Sequence, residues 1–211
     1  MMSRHHIDPE PEQQKATFMQ TLSVVGIAGS VRQPSRTANL VATVLEAIEE
    51  RTGSRSQLIE LGDRDTTFFD ALSRDAMSDR ARAVIDAIER ADILVVGTPV
   101  YRASYTGLFK HVFDLVHVDA LIGTTVVLTA TGGSPLHGLV MEHQLRPLFG
   151  FFRAHTAPSA VYATEADFDH YQLTSSLVRE RAHRAAGEAV RLAAGGYPSP
   201  ATARAGIAAV A

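Results

Sequence analysis

Short apolar runs alternate with amphipathic segments along the central part of this chain of 211 residues. Continuous apolar runs bounded by turn residues are typical of strands that are buried on both faces of a parallel sheet. We predict strands of this kind at 22–28, 57–61, 93–97, 125–128 and 160–163. Apolar residues at helical spacing predict helices between and after the strands, at 35–51, 80–90, 106–116, 136–152 and 173–194.

The alternation of strands and helices predicts βαβ units with right-handed crossovers, and therefore a doubly wound α/β domain with a five-stranded parallel sheet. Two strand orders stay open on this evidence, the flavodoxin-like 2-1-3-4-5 and a truncated Rossmann order. Residues 1–19 are polar and without period, which predicts a disordered lead. Residues 195–211 are rich in Ala, Gly and Pro, which predicts a flexible tail. A single domain at 20–194 is left between them.

Composition narrows the function classes without naming a function. The chain has 20 Lys+Arg against 23 Asp+Glu, so no basic surplus indicates a nucleic acid or an acidic membrane as partner. It has no cysteine, which excludes a disulfide scaffold, a thiolate metal site and a cysteine nucleophile. No apolar run approaches the ~20 residues of a membrane-spanning helix, and the first residues lack the apolar segment of a secretory signal. We therefore expect a soluble, cytoplasmic protein.

The loop after the first strand, GSVRQPSRT at 29–37, gathers hydrogen-bond donors at the start of a predicted helix. Free backbone N–H groups and the helix dipole favour an anion there, and hydroxyl and guanidinium donors can complete the oxygen shell of a phosphate. The side-chain donors are Ser30, Arg32, Ser35, Arg36 and Thr37. The loop matches neither G-x-x-x-x-G-K-[ST] nor G-x-G-x-x-G, which argues against a nucleoside triphosphate and a Rossmann-bound dinucleotide. The alternative is ordinary helix capping by Ser35 beside solvated arginines.

The loops after the third and fourth strands complete the candidate site, because the carboxyl ends of parallel strands meet at one edge of the sheet. In TPVYRASY, at 98–105, Pro99 gives a rigid turn, and Tyr101 and Tyr105 offer flat surfaces to a planar ligand. In TATGGS, at 129–134, Gly132 and Gly133 allow the backbone to approach a ligand closely. Packing turns are the alternative for either loop alone. Together the three loops describe a mononucleotide with a flat ring, and FMN fits that description best.

Other polar residues do not form a catalytic pattern. His137 and His143 are six residues apart, which does not place two metal ligands on one helix face, and we expect no metal site. Ser30 lacks the G-x-S-x-G context of a serine hydrolase. We therefore expect no catalytic side chain. The segment 136–152 is apolar nearly all round, which predicts that it also packs against another subunit.

The three loops, in this order and spacing, resemble the NAD(P)H-dependent FMN reductases of two-component alkanesulfonate and methanesulfonate monooxygenase systems. The run MEHQLRPLFGFFRAHTAPSAVYATEADF is more similar to the methanesulfonate type. The resemblance covers residues 22–169 and includes neither tail. It implies a flavodoxin-like fold of strand order 2-1-3-4-5.

The resemblance also implies roles for individual residues. The FMN phosphate would be held by Ser30, Arg32, Ser35 and Thr37. The isoalloxazine ring would lie against Pro99, Val100, Tyr101 and Arg102, near Thr131, Gly132 and Gly133. Family members form dimers or tetramers through the helix after the third loop, in which alkanesulfonate reductases carry an inserted tyrosine and a π-bulge. His143 stands at the matching position, and both the bulge and its effect on flavin release stay open here.

The implied reaction is the reduction of FMN by NADPH or NADH, with reduced FMN supplied to a flavin-dependent monooxygenase in sulfonate desulfonation. Two alternatives remain on the same fold. One is a quinone or azo-dye reductase that keeps FMN tightly bound, and the other is an electron carrier of flavodoxin type.

Overall fold

A computed structural model describes residues 22–63 and 71–195 of the chain. The strands are β1 (Val24–Ala28), β2 (Ser56–Glu60), β3 (Ile93–Pro99), β4 (Thr125–Gly132), β5 (His155–Thr156), β6 (Val161–Thr164), β7 (Phe168–Asp169) and β8 (Gln172–Leu173). The helices are α1 (Arg36–Thr52), α2 (Asp79–Arg90), α3 (Gly107–Leu115), α4 (Arg146–Phe151) and α5 (Ser176–Ala194). The predicted lead at 1–19 lies outside the described residues, as does the predicted tail after Gly195.

The main sheet is parallel throughout, in the order β2-β1-β3-β4, with β5 and β6 both paired to the far side of β4. β5 and β6 share the fifth position, so the flavodoxin-like order 2-1-3-4-5 is confirmed and the truncated Rossmann order is excluded. In this order the strands are added toward one edge of the sheet up to β2 and toward the other edge from β3 onward, so the switch point lies between β1 and β3. Ligands of doubly wound sheets bind at such a switch point, beyond the carboxyl ends of the strands.

Both faces of the sheet are buried, as the continuous apolar runs predict. Along β3, Ile93 and Val95 belong to the core shared with α1 and α5, whereas Leu94 and Val96 belong to the core shared with α2, α3 and α4. This alternation is the two-residue period of a strand, applied to a segment with a helix layer on each side. Within the described ranges, no helix is long and apolar enough to cross a membrane.

Helix α1 begins and ends where local sequence signals predict. The Ser35 hydroxyl accepts the N–H of Ala38 at 3.1 Å, which caps the first turn. Gly53 ends the helix with φ of 69°, a left-handed conformation that glycine adopts without steric cost, and its N–H donates to the Glu49 carbonyl. The cap fixes Ser35 at the helix N-terminus that follows β1, where the phosphate-binding loop is predicted.

The fifth position of the sheet holds two short strands rather than the single strand predicted at 160–163. β5 pairs with the start of β4, and β6 pairs with its end. Pro158 lies between the two strands and has no N–H to donate to a ladder. The next N–H, that of Ser159, donates to the Glu188 carboxylate of α5 at 2.7 Å. The pairing with β4 is therefore interrupted between β5 and β6.

The single helix predicted at 136–152 is wrong. The segment consists of a 3₁₀ turn at Pro135–Leu139, a π-helical turn at Met141–Leu145 and α4. The π-helical register is defined by the N–H of Arg146, which donates to the carbonyl five residues back. Pro147 explains the change of register, because it has no N–H for an α-helical bond to the His143 carbonyl and its ring would collide with that carbonyl. His143 thus lies within a π-helical turn.

The last helix begins at Ser176 rather than at the predicted residue 173, because β7 and β8 form an antiparallel hairpin just before it. Asn39 ties this hairpin to α1. Its side-chain oxygen accepts the N–H of Leu173 at 2.8 Å, and its amide donates to Gln172 at 3.1 Å. The hairpin therefore lies beside the N-terminus of α1.

Candidate functional site

A cavity of about 780 Å³ opens beyond the carboxyl ends of β1, β3 and β4. The three unusual loops meet there, and eleven of the twelve predicted cofactor-binding residues line it: Ser30, Arg32, Ser35, Arg36, Thr37, Pro99, Val100, Tyr101, Thr131, Gly132 and Gly133. The cavity volume lies within the range of ~300–1,000 Å³ that is usual for small-molecule sites. Convergence of three separately predicted loops on one cavity makes it the candidate functional site.

The first loop folds back on itself before α1 begins. The Ser30 hydroxyl accepts the N–H of Arg32 and donates to the Arg32 carbonyl, each at 3.2 Å. The Ser35 hydroxyl accepts the capping bond and keeps its own proton for a ligand. The first turn of α1 carries no acidic residue, so no carboxylate of the helix itself neutralises the positive end of the helix dipole at the cavity. This arrangement suits an anion with several oxygen atoms.

Thr37 has a second role that its position in the sequence does not reveal. Its hydroxyl lies 2.7 Å from the hydroxyl of Thr131, and both residues are buried. Only one of the two protons is used within the pair, so the pair can still donate one hydrogen bond to a ligand. The contact joins the first turn of α1 to the end of β4.

Arg36 lies in the cavity wall but is already bound within the protein. Its guanidinium donates to the Glu165 carboxylate at 2.8 Å and to the His170 carbonyl at 3.1 Å. The guanidinium carbon also lies 5.5 Å from the centre of the Tyr171 ring, within range of a cation–π contact. Arg36 therefore differs from Arg32, although the sequence presents both as equivalent phosphate donors.

The second loop is a tight turn fixed to its neighbours. The N–H of Val100 donates to the Thr131 carbonyl at 2.7 Å, and Tyr101 and Ser104 exchange two backbone hydrogen bonds. Arg102 and Ala103 occupy the tip with φ of 52° and 64°, values that are strained for residues with a side chain. Arg102 is at this tip and is the one predicted cofactor-binding residue that does not line the cavity.

The two glycines of the third loop serve different purposes. A Cβ atom on Gly132 would lie 2.3 Å from the Tyr162 hydroxyl oxygen, whereas a Cβ on Gly133 would meet nothing within 4 Å. The Tyr162 hydroxyl donates to the Ser134 carbonyl at 2.6 Å, and burial raises the pKa of Tyr162. Gly132 is thus required by the packing of Tyr162, and Gly133 leaves open space at the cavity.

Residues 22–169 match the family described as NADPH-dependent FMN reductase. The chain belongs to this family. It is 50% identical over 171 residues to the NADH-dependent FMN reductase SfnF of Pseudomonas fluorescens (strain Pf0-1), a match that covers 81% of this chain and 91% of the relative. It is 45% identical over 172 residues to the FMN reductase (NADPH) of Pseudomonas aeruginosa, covering 82% of this chain and 92% of the relative.

Solved structures agree with this assignment. Apo NADH:FMN oxidoreductase (EMOB) superposes with a TM-score of 0.74 at 29% identity, covering 87% of this chain and 94% of that one. A WrbA-like flavodoxin from Agrobacterium tumefaciens has a TM-score of 0.59 at 17% identity, covering 82% of this chain and 98% of that one, and it shows the shared fold. Reduction of FMN by a reduced nicotinamide nucleotide is therefore the reaction of this chain.

Several residues that line the cavity of this FMN reductase were not predicted. They are Val31, Gln33, Pro34, Gly62, Asp63, Thr164, Glu165 and Tyr171. The first three lie within the predicted phosphate loop, and the others lie after β2, at the end of β6 or just after it, or in the β7–β8 hairpin. The rule that ligands bind at the carboxyl ends of strands, applied to every strand, would have located the segments after β2 and β6. No sequence motif marks Tyr171.

The residues of the cavity fit FMN in chemistry as well as in size. Hydroxyl, guanidinium and helix N-terminal donors gather on one side, at Ser30, Arg32 and Ser35, where a phosphate can be held. Pro99, Val100 and Tyr101 provide a mostly apolar side for a flat ring. Among residues 22–63 and 71–195, no group of three or more His, Asp or Glu side chains could hold a metal ion.

Proposed function

We propose that this FMN reductase releases reduced FMN to a separate flavin-dependent monooxygenase, and that the pair acts in the desulfonation of sulfonates. FMN is then a substrate that enters oxidised and leaves reduced, with NADPH or NADH as reductant. The proposal includes a cytoplasmic location, where reduced nicotinamide nucleotides are available. The observation that carries it is the cavity itself, which has Ser30, Arg32 and Ser35 on one side and Pro99, Val100 and Tyr101 on the other.

The chain's own residues would bind and orient the flavin. Ser30, Arg32 and Ser35, with the first N–H groups of α1, would hold the phosphate, and the pair of Thr37 and Thr131 would add one further donor. The side chains of Pro99, Val100 and Tyr101 would support the ring. Bound flavin would supply the redox chemistry as the acceptor of a hydride from the reduced nicotinamide, and we assign no side-chain acid to that step.

The first prediction tests the phosphate assignment by anaerobic oxidation of NADH and NADPH with FMN, FAD and riboflavin in turn. We expect the highest kcat/KM with FMN. Replacing Arg32 by Ala should raise the KM for FMN about tenfold with little change in kcat, because a charge-assisted hydrogen bond made in both ground and transition states is lost. The same substitution should leave the KM for riboflavin unchanged.

Arg55→Ala is the matched control, since this exposed arginine precedes β2 at the opposite end of the parallel sheet. It removes the same charge without touching the cavity, and its kinetics should equal those of the wild type. Equal rates with FMN and riboflavin in the wild type would contradict the phosphate assignment. If flavin stays bound to the protein through dialysis and no free reduced FMN forms with NADH or NADPH, release to a partner is contradicted. That result would favour a quinone or azo-dye reductase that binds FMN tightly.

We also propose that the chain forms a homodimer or homotetramer through the segment 135–152. Leu136, Leu139 and Phe151 in this segment are exposed by 86%, 63% and 64%, which supports burial against a second copy. His143 lies in the π-helical turn of the same segment, and we propose that this turn couples assembly to flavin release. π-helical turns are frequent at functional sites, which supports the assignment.

A further inference from the structure

The charged side chains around the cavity add up to no net charge. Arg32 and Arg36 contribute two positive charges, and Asp63 and Glu165 contribute two negative charges. Asp63 forms an ion pair with Arg80 at 3.4 Å, and Arg80 lies outside the cavity lining. Glu165, in contrast, forms its ion pair with Arg36, which is itself a lining residue. One of the two cationic groups that face the cavity is thus neutralised from within the cavity.

The Arg36–Glu165 pair is formed at the place where the phosphate is expected. Arg36 is the first residue of α1 and follows the capping Ser35 directly. Its side chain is 35% exposed and that of Glu165 is 69% exposed, so both remain accessible from the cavity. A phosphate bound at the α1 N-terminus would therefore share this guanidinium with the Glu165 carboxylate.

The backbone on either side of Glu165 is held in position. Thr164 precedes it, and the Thr164 N–H and hydroxyl donate to the Asp167 carboxylate at 2.7 and 2.8 Å. Arg36 is also held on its other side by the His170 carbonyl. These contacts hold the backbone that carries Glu165 beside the predicted phosphate site.

We propose that Glu165 is an internal competitor for the flavin phosphate, which weakens the binding of FMN and so favours its release. The inference rests on the proposed function, since it requires the phosphate to bind at the first loop and the flavin to leave. Two effects lower the affinity for FMN. Glu165 forms an ion pair with Arg36, and its negative charge repels the phosphate dianion in the same cavity. Riboflavin has no phosphate, so its affinity should not depend on Glu165.

The test measures binding rather than turnover, by quenching of flavin fluorescence in titrations of flavin-free protein with FMN and with riboflavin. Glu165→Gln removes the charge and keeps the shape of the side chain. We expect FMN to bind roughly two- to fivefold more tightly to this variant, as the strength of an exposed ion pair allows, and riboflavin to bind as it does to the wild type. The dissociation rate of FMN, followed by stopped-flow dilution, should fall by a similar factor.

Asp169→Asn is the matched control, because this exposed carboxylate lies close to Glu165 in the chain, on β7, and does not line the cavity. It makes the same change in net charge and should leave both affinities unchanged. Inorganic phosphate, used as a competitor of FMN, should inhibit at lower concentration with Glu165→Gln than with the wild type. In an Arg36→Ala background, Glu165→Gln should have a smaller effect on FMN affinity, since the competition for Arg36 is gone.

The outcomes separate this inference from the function on which it rests. If the wild type binds FMN and riboflavin equally, the phosphate assignment is wrong. If the wild type prefers FMN but Glu165→Gln binds FMN no more tightly, the assignment stands and the competition is refuted. Weaker FMN binding by Glu165→Gln, with unchanged thermal unfolding, would mean that Glu165 positions Arg36 for the phosphate, which also overturns the inference.

Discussion

Gly132 and Gly133 show how two identical neighbours can have unrelated functions. Gly132 is confined by Tyr162, whose hydroxyl oxygen would lie 2.3 Å from an added Cβ. Gly133 faces open space at the cavity, and neither glycine has a positive φ. An added methyl group would therefore be resisted by protein packing at the first position and by the ligand at the second.

Alanine at each position separates an effect on stability from an effect on FMN binding. Gly132→Ala should lower the free energy of unfolding by about 1–3 kcal/mol, the usual cost of overpacking a filled site. Gly133→Ala should leave the free energy of unfolding nearly unchanged and should weaken FMN binding. Urea denaturation and fluorescence titration measure the two quantities. Combining Gly132→Ala with Tyr162→Phe should cost less than the sum of the single changes, because the clash involves the tyrosine oxygen. Equal destabilisation by both alanines would refute the distinction.

At the scale of elements, the segment between β4 and β5 departs most from regular structure. It passes from a 3₁₀ turn through a π-helical turn to α4 within residues 135–151. Arg146 fastens it to the sheet, because its guanidinium donates to both Glu142 oxygens and to the Thr156 hydroxyl. Leu145 and Phe149 pack into the core, whereas Leu139 and Phe151 remain exposed. The exposed pair is the basis for the proposed subunit contact.

Charged substitutions at the exposed pair test the proposed subunit contact. Leu139→Glu combined with Phe151→Glu should convert the proposed oligomer into monomers, because two charges would have to be buried without partners. Light scattering coupled to size-exclusion chromatography measures the mass of the species. Leu177→Glu is the matched control, since Leu177 is 75% exposed on α5 and lies outside the segment. An oligomer that survives the double change, or a wild type that is already monomeric, would refute the contact.

Elements with local signals could be predicted from sequence, and elements fixed by distant partners could not. Ser35 and Gly53 mark the ends of α1 because capping depends on neighbouring residues. The Arg36–Glu165 pair joins residues 129 positions apart, and no local pattern indicates it. The hairpin before α5 was likewise missed, because its turn at His170 has φ of 54° without a glycine to signal it. The three loops could be recognised, but the partners of their side chains could not.

Across the whole molecule, hydrogen-bonded carboxylates secure three separate junctions. Glu49 accepts the N–H and hydroxyl of Ser56 at 2.6 and 2.8 Å, which joins the end of α1 to the start of β2. Glu142 accepts from Arg146 in the π-helical turn, and Asp167 accepts from Thr164 after β6. Glu49 and Asp167 thereby connect α1 and the turn after β6 to strands of the sheet, and Glu142 holds Arg146, which itself donates to Thr156 of β5.

The ionised forms of these carboxylates are favoured in the folded protein. The Ser56 N–H and hydroxyl lower the pKa of Glu49, and the Arg146 guanidinium lowers the pKa of Glu142. Burial raises the pKa of Asp167, but hydrogen bonds from Thr164 and Ser175 outweigh it, so that the pKa is lowered overall. All three groups therefore bind protons less readily in the folded chain than in the unfolded one.

The sign of the pH dependence follows from these directions. A carboxyl group with a lowered pKa in the folded state stabilises the fold above its unfolded pKa of about 4, and this stabilisation is lost as the pH falls through the folded pKa. We therefore expect the urea midpoint to stay nearly constant from about pH 7 to pH 5.5 and to fall steadily below pH 4.5.

Glu49→Gln should destabilise the protein by about 1 kcal/mol at neutral pH, and its difference from the wild type should shrink as the pH falls, because protonation removes the same charge from the wild type. Glu46→Gln, an exposed change on the same helix, should follow the wild-type curve. A Glu49→Gln difference that is constant down to pH 3 would show that the charge of Glu49 does not contribute to stability.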